Sequence, residues 1–266
     1  MRKKKIDRIK GAVYGFAIGD AMGATTEFMT EEQIKRRHGK VTNIVGGGWL
    51  NLPAGQVTDD TQMTLCVMDA IMAANGDSDA FRNKCIDNFI DWFRNGPLDV
   101  GSQCAMGIID LIGGVLPSKT DRAGNGSLMR ALPCALVDRF NWNDVQSRLT
   151  HNNDMCSSVV QNYTRLIQNL LNGKYTYVKR DLLAPSGFIL NTFNNALYWA
   201  NEESFEDAIV GAVNHGGDSD TIAAIAGSIA GAKFGYDAIP KRWVNQLDND
   251  VKAKLDEFIE YCGRRV

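Results

Sequence analysis

Two stretches rich in small residues constrain the fold of this chain more than any other feature. In the first, Gly11–Gly23, small residues recur every four positions and so lie on one face of a helix. The second, Gly227–Ala232, follows a glycine pair and an apolar run further along the chain. Because small side chains let helix backbones approach closely, we expect the second helix to lie at the centre of the fold.

The hydrophobic pattern of the whole chain is that of helices joined by loops. Apolar residues recur at helical spacing in segment after segment, beginning with Ile6, Ile9 and Val13. Only Val41–Val45 resembles a strand, and no linker rich in proline, glycine and serine divides the sequence. We therefore predict an all-α fold built as a single domain over residues 1–266.

The composition excludes several classes of function. The chain is 44% hydrophobic with a net charge of −2, whereas nucleic-acid-binding proteins are usually strongly basic. No apolar run approaches the ~20 residues of a membrane helix, and the start lacks the pattern of a signal peptide. Its six cysteines form no Cys-x-x-Cys pair, so we expect reduced thiols in a cytoplasmic protein and no zinc site.

The segment His215–Thr221 has the pattern most typical of a functional site. A glycine pair allows a tight turn, and Asp218 and Asp220 follow it just before an apolar helical run. Two carboxylates this close destabilise each other unless a cation lies between them, and Mg²⁺ or Mn²⁺ prefers such oxygen ligands. The alternative is purely structural, because Asp218 or Ser219 could simply cap the helix.

A second segment of similar design, Thr58–Thr61, lies far upstream. It follows Gly55, contains Asp59 and Asp60, and precedes another apolar helical run. A helix N-cap again explains it equally well when it is considered alone. Two oxygen-rich turns of matching design nevertheless favour one shared metal site.

The loop Gly124–Ser127 is a candidate phosphate site. Its glycines are followed by Leu128, Leu132 and Leu136 at helical spacing, which predicts a helix directly after the loop. Free backbone N–H groups at a helix start attract phosphate. The segment is not a P-loop, because no Gly-Lys-Ser/Thr follows, and alone it is a weak signal.

Four single residues have functional and structural interpretations that the sequence does not separate. Asp99 follows a proline turn and precedes a helical pattern, so it could be catalytic or an N-cap. Glu27 could be a surface acid, His151 a structural histidine and Phe188 a core aromatic residue.

Together these stretches resemble the signatures of the ADP-ribosylglycohydrolase family, which includes the dinitrogenase-reductase-activating glycohydrolases. The resemblance runs from Gly11 to about Gly235 and implies a compact orthogonal helical bundle. In that bundle, loops between helices form a cleft for two metal ions. The matching stretches are Gly11–Gly23, Thr58–Thr61, Asp99–Gly101, Gly124–Arg130, Thr150–His151, Ser186–Phe188 and His215–Thr221.

The resemblance implies two Mg²⁺ ions, with Mn²⁺ as an alternative, that bind the ribose hydroxyls and activate water. It also implies that Asp60, Asp99 and Glu27 activate this water and protonate the leaving group, in roles that the sequence does not divide among them. The expected metal ligands are Thr58, Asp59, Asp60, Asp218, Asp220 and Thr221.

The family pattern further implies which residues contact the ADP-ribose. Two positions depart from it: the proline-containing stretch after His151 is replaced by Asn152 and Asn153, and a tyrosine-like position holds Phe188. Phe188 keeps the aromatic face for adenine but lacks the hydroxyl group. The expected substrate contacts are Gly101, Gly124, Asn125, Gly126, Ser127, Met129, His151, Phe188, His215 and Gly216.

The resemblance predicts a Mg²⁺-dependent hydrolase that releases ADP-ribose from modified protein side chains, with arginine as the expected acceptor. One alternative is hydrolysis of another conjugate: ADP-ribosyl-serine, an ADP-ribosylated nucleobase, O-acetyl-ADP-ribose or poly(ADP-ribose). The other is a non-catalytic protein that binds ADP-ribose. The expected partners are an ADP-ribosylated protein as substrate and ADP-ribose as product, with no membrane or nucleic acid, and we expect a monomer.

Overall fold

A computed structural model of the chain describes residues 2–174 and 180–265. Within these two ranges the regular structure is helical, and the only strand-like pairing is an isolated bridge between Gly47 and Leu52. Val41–Val45 does not form a strand. The all-α prediction is therefore confirmed.

Two compact units make up the chain: residues 1–58 together with 169–266, and residues 59–168. The prediction of a single domain remains a prediction. None of the helices in the described ranges is long and apolar enough to cross a membrane. The helices are α1 (Arg2–Gly23), α2 (Glu31–His38), α3 (Asp59–Ala74), α4 (Ser78–Arg94), α5 (Ser102–Ile112), α6 (Leu132–Leu136), α7 (Phe140–Arg148), α8 (Asp154–Leu171), α9 (Ile189–Ala200), α10 (Phe205–His215), α11 (Ser219–Phe234), α12 (Lys241–Gln246) and α13 (Asn249–Gly263).

In the first unit, α1 and α11 pack together along their small-residue faces. A Cβ atom added to Gly15 would lie 2.2 Å from the carbonyl oxygen of Gly227, and one added to Gly19 would lie 2.1 Å from that of Ala223. Larger side chains would push the backbones apart. From Ser219 to Ala232 every residue of α11 is buried, as expected for a central helix.

The second unit is built on α3 and α4, with α5, α6 and α7 packed against them. Phe81 of α4 stacks on Trp142 of α7 with ring centroids 4.3 Å apart. Arg130, which precedes α6, is fully buried within this unit.

The helix predicted directly after Gly124–Ser127 is wrong. The structure has a single 3₁₀ turn at Asn125–Ser127, and α6 begins only at Leu132. Pro133 lies in the first turn of α6. Proline is tolerated there but not inside a helix, because its ring clashes with the preceding turn and it has no N–H to donate.

Candidate functional site

The first unit brings three carboxylates together. One oxygen from each of Glu27, Asp218 and Asp220 lies within 4.8 Å of the others. Glu27 and Asp220 are buried, and Asp218 is partly exposed. Such a cluster needs shared protons or a cation, and carboxylate oxygens are the ligands that a hard divalent ion prefers. These residues therefore form an acidic cluster that fits a metal ion.

Asp218 does not serve as a helix cap. It occupies the N-cap position of α11, but its side chain makes no capping hydrogen bond. The hydroxyl group of Thr192 donates instead to Asp218 Oδ2 at 3.4 Å, and Ser219 Oγ donates to the carbonyl oxygen of Gly23 at 2.9 Å. The capping alternative is thus wrong for Asp218, whose carboxylate takes part in the acidic cluster.

The glycine pair before Asp218 holds the segment that carries Glu27. The N–H of Phe28 donates to Gly217 O at 2.7 Å, and the N–H of Gly217 donates to Met29 O at 2.8 Å. Gly216 has φ 74°, and a Cβ atom there would lie 2.1 Å from Met29 O. Only glycine suits this conformation and this close approach, so the pair positions Glu27 beside Asp218.

Trp49 was not singled out by the sequence analysis. Its Nε1 donates to Glu27 Oε2 at 2.5 Å, and this hydrogen bond orients the Glu27 carboxylate. Three consecutive glycines with positive φ, Gly46–Gly48, precede it. A Cβ atom on Gly48 would lie 2.0 Å from Ala24 O. This glycine run was the available signal, but by itself it indicates only a turn.

Asp20 is a second residue that the sequence analysis missed. It is fully buried in α1, and both of its carboxylate oxygens accept from the N–H of Thr58, at 3.1 and 3.2 Å. Asp20 therefore fixes the backbone of Thr58, a predicted metal ligand. Its signal was a lone acid among small apolar residues of a buried helix. Thr221, another predicted ligand, is also buried.

In the second unit, Asp59 and Asp60 begin α3 and are both buried. The side chain of Asp59 is hydrogen-bonded to Asp99. Burial raises the pKa of Asp99, while hydrogen bonds from the Val100 N–H and with Asp59 act in the opposite direction. The N-cap residue of α5 is Gly101, so Asp99 is not that helix's N-cap. The structure thus pairs two predicted site residues, Asp59 and Asp99.

The Gly124–Ser127 loop packs tightly on the protein interior. A Cβ atom on Gly126 would lie 2.5 Å from Cys104 Sγ and 2.8 Å from His151 Cε1. The N–H of Gly124 donates to Gln103 Oε1 at 3.0 Å. Ser127 and Met129 are buried, whereas Gly124 and Asn125 are partly exposed. Packing on His151 is therefore a structural reason for glycine at position 126, and phosphate binding by the loop remains a prediction.

His151 lies beneath this loop in the second unit. Its Nδ1 is 2.7 Å from Thr150 Oγ1. Burial, and then the positive charge of Arg130, lower its pKa well below the usual value, so the imidazole is neutral at neutral pH. A neutral buried ring fits support of the loop, and contact with substrate remains a prediction.

Arg130 was known from the sequence only as the end of a motif. Its guanidinium donates to Gln146 Oε1 at 2.7 Å, Gln146 O at 2.9 Å and Thr150 Oγ1 at 2.6 Å. Its Cζ lies 4.5 Å from the centre of the Phe89 ring. Burial lowers the pKa of this guanidinium, and the contacts tie α7 and the residues directly after it to the end of the Gly124–Arg130 stretch.

Two predicted substrate contacts in the first unit differ in exposure. Phe188 is 41% exposed, so the core-aromatic alternative is wrong and its ring face is available to a ligand. His215 is 8% exposed. Its Nδ1 lies 2.9 Å from Glu31 Oε1 and its Nε2 3.1 Å from Leu183 O. Both ring nitrogens of His215 thus already have partners within the protein.

The all-α fold and the acidic cluster beside glycine turns agree with the comparison to known families. The family model described as ADP-ribosylglycohydrolase matches residues 1–184 and 178–265. The chain therefore belongs to the ADP-ribosylglycohydrolase family, whose members are hydrolases that act on glycosidic bonds.

Several relatives are similar over most of the chain. The ADP-ribosyl-[dinitrogen reductase] glycohydrolase of Rhodospirillum rubrum is 35% identical over 97% of this chain and 97% of that protein. The ADP-ribosylarginine hydrolase Tri1 of Pseudomonas putida (strain GB-1) is 32% identical over 92% of this chain and 75% of that protein. A solved structure described as an ADP-ribosylglycohydrolase-related protein complex has a TM-score of 0.86 and 26% identity, and the match covers 99% of both chains.

Proposed function

We propose that this protein hydrolyses the N-glycosidic bond between ADP-ribose and a modified arginine side chain of a protein, with the help of Mg²⁺. The observation that carries the proposal is the acidic cluster of Glu27, Asp218 and Asp220, whose oxygens lie within 4.8 Å of one another. Three carboxylates this close repel one another unless protons or a cation lie between them.

The acidic cluster would hold one ion directly, and the full predicted ligand set would hold two. A bound divalent ion lowers the pKa of water and orients hydroxyl groups, which suits a ribose with two adjacent hydroxyls. Mn²⁺ would serve similarly, because it takes the same oxygen ligands. The further predicted ligands are Thr58, Asp59, Asp60 and Thr221.

The chain's own carboxylates would carry the protons. In the reaction, the bond between ribose C1 and the guanidinium nitrogen breaks, water supplies a hydroxyl to C1, and a proton goes to the nitrogen. Glu27, held by Trp49, and Asp99, whose pKa is raised by burial, are candidates for this transfer together with Asp60.

Arginine as the acceptor is supported by similarity. Two of the relatives, from Pseudomonas putida (strain GB-1) and Serratia proteamaculans (strain 568), are named ADP-ribosylarginine hydrolases and are 32% and 31% identical to this chain. The acceptor determines which leaving group must be protonated, so it is the part of the proposal that most needs a direct assay.

The test is the release of free ADP-ribose from an arginine-ADP-ribosylated protein. The reaction is run with and without EDTA, and the released ADP-ribose is measured by chromatography. Asp218→Asn and Asp60→Ala are expected to lose the activity. Asp237→Asn is the matched control, because Asp237 is an exposed acid of the first unit outside the acidic cluster. Wild-type rates in Asp60→Ala at saturating Mg²⁺ would remove that residue from the ligand set.

A panel of conjugates separates the proposal from its alternatives. Release only from serine, nucleobase, O-acetyl or poly(ADP-ribose) conjugates would transfer the activity to another substrate of the same site. Tight binding of ADP-ribose with no hydrolysis of any conjugate would favour a binding protein. Metal analysis of the purified protein checks the number of ions, and light scattering checks the expected monomer.

A further inference from the structure

Next to the acidic cluster, the first unit has a pocket in which only Glu27 and its partner Trp49 have a role in the proposed chemistry. It has a volume of about 480 Å³, which is within the usual range for small-ligand sites. Its walls include Phe28, Arg36, Arg37 and Trp49, and we call it the Arg36–Trp49 pocket. Glu27 also lines it, so the pocket adjoins one of the three carboxylates of the acidic cluster.

One wall of the pocket is aromatic and open to solvent. Phe28 is 66% exposed and Trp49 is 50% exposed, with their ring centroids 5.4 Å apart. Phe28 has φ 60°, an uncommon conformation for a non-glycine residue, and its N–H is fixed on Gly217 O at 2.7 Å. Rigid exposed aromatic side chains are typical anchors for a protein partner.

The last turn of α2 supplies positive charge to the same pocket. Arg36 and Arg37 line the pocket and are exposed. Within the ranges that the structure describes, no carboxylate forms an ion pair with either guanidinium. Guanidinium groups bind carboxylates through two parallel hydrogen bonds. The pocket therefore offers an aromatic wall and two cations to a ligand with apolar and acidic groups.

Glu27 links this pocket to the reaction. Trp49, which forms part of the wall, donates to Glu27 Oε2 at 2.5 Å. A ligand group that packs on Trp49 therefore touches the residue that orients Glu27, a candidate catalytic carboxylate. A group that protonates the leaving nitrogen must lie beside it, so a pocket lined by Glu27 is suited to the acceptor side of the bond and to the protein chain that carries the arginine.

We propose that the Arg36–Trp49 pocket binds the protein segment around the modified arginine and selects targets that have an acidic side chain near it. The proposal rests on the proposed function, since it names which arginine conjugates the same site prefers. The acidic side chain pairs with Arg36 or Arg37, and a neighbouring apolar side chain packs on Phe28 and Trp49.

The experiment compares three ADP-ribosyl-arginine peptides that differ only in having Glu, Gln or Lys on both sides of the modified residue. Wild type is expected to hydrolyse the Glu peptide with a kcat/KM about tenfold above the Gln peptide, as for one charge-assisted contact. In the double variant that combines Arg36→Glu with Arg37→Glu, the order of the kcat/KM values should invert, so that the Lys peptide is preferred. Lys35→Glu with Lys40→Glu makes the same change in charge outside the pocket wall and should keep the wild-type order.

Two outcomes would overturn the proposal. Equal kcat/KM values for the three peptides in wild type would show that the pocket does not read the flanking charge. In the Arg36/Arg37 double variant, kcat/KM could instead fall equally for all three peptides while free ADP-ribose inhibits more weakly. That result would show that the two arginines bind the diphosphate of ADP-ribose.

Fluorescence anisotropy with the same peptides keeps the two proposals distinguishable. An acidic preference in binding with no release of ADP-ribose would contradict the proposed function and still support the pocket. Release of ADP-ribose without any charge preference in rate or binding would support the function and contradict the pocket.

Discussion

The first unit brings three carboxylates, Glu27, Asp218 and Asp220, within 4.8 Å of one another, whereas the second unit buries one cation, Arg130. Neutral groups satisfy Arg130: an amide oxygen, a backbone carbonyl, a hydroxyl group and the face of Phe89. No carboxylate in the described part of the chain forms an ion pair with it. The carboxylates, in contrast, repel one another and become compatible only with added protons or a cation.

The comparison separates a charge that serves the fold from charges that serve a ligand. Arg130 sits in a saturated network, so its removal should cost stability and leave metal binding unchanged. The carboxylates lie in an arrangement that costs stability by itself, so their removal should cost activity and leave the apo protein equally stable or more stable.

Asp218→Asn should lower the rate of ADP-ribose release by about 1,000-fold, a typical loss when one group that stabilises developing charge is removed. In EDTA its free energy of unfolding should equal or exceed that of wild type, because one of three mutually repelling carboxylates is gone. Chemical denaturation with and without Mg²⁺ measures this. A variant that is much less stable than wild type in EDTA would show that Asp218 has a structural role.

Arg130→Met should destabilise the protein by about 3 kcal/mol, because it leaves the acceptors on Gln146 and Thr150 without their donor. Its affinity for Mg²⁺, measured by calorimetry under conditions where the variant is folded, should stay within about twofold of wild type. A large loss of affinity would mean that the buried cation and the acidic cluster are not independent.

Trp49→Phe should lower kcat by about tenfold, since it keeps an aromatic, though smaller, side chain in the wall and removes the N–H that orients Glu27. The Mg²⁺ concentration for half-maximal rate should change little. Trp243→Phe is an informative control, because the indole N–H of Trp243 donates to Thr42 O away from the acidic cluster. Equal effects of both variants on kcat would reject the positioning role.

The lowered pKa of His151 leads to a prediction of how the free energy of unfolding depends on pH. Its pKa is lowered well below the usual value in the folded state, so below about pH 6.5 the unfolded chain binds a proton that the folded chain does not. Stability is therefore lost as pH falls from 6.5, by up to about 1.4 kcal/mol per pH unit. In His151→Gln this slope should be shallower by about that amount, as measured by urea denaturation at pH 5.0, 5.5, 6.0 and 6.5. Parallel slopes would show that His151 titrates normally.

Much of the fold could be predicted from local patterns, because helical spacing of apolar residues and small-residue faces are properties of neighbouring positions. The helix expected at Leu128 failed because Pro133 is tolerated only in the first turn of a helix, and α6 accordingly begins at Leu132. That constraint was visible in the sequence but was outweighed by the leucine spacing.

The candidate site was predictable only where its residues are adjacent in sequence. Asp218 and Asp220 follow a glycine pair, and the structure decides against capping because Asp218 makes no capping hydrogen bond. Trp49 with Glu27, and Asp20 with Thr58, are contacts between residues 22 and 38 positions apart. Such contacts depend on tertiary packing, which leaves no periodic signal in the sequence. The roles of Asp59, Asp60 and Gly124–Ser127 remain predictions.

The cation requirement of the acidic cluster is tested most directly by the rate of ADP-ribose release from an arginine-ADP-ribosylated protein. The rate is measured as a function of free Mg²⁺, starting from metal-depleted enzyme. We predict no release in EDTA and saturable activation as Mg²⁺ is added, because the acidic cluster needs a cation to act. The same rate in EDTA and in saturating Mg²⁺ would contradict this prediction.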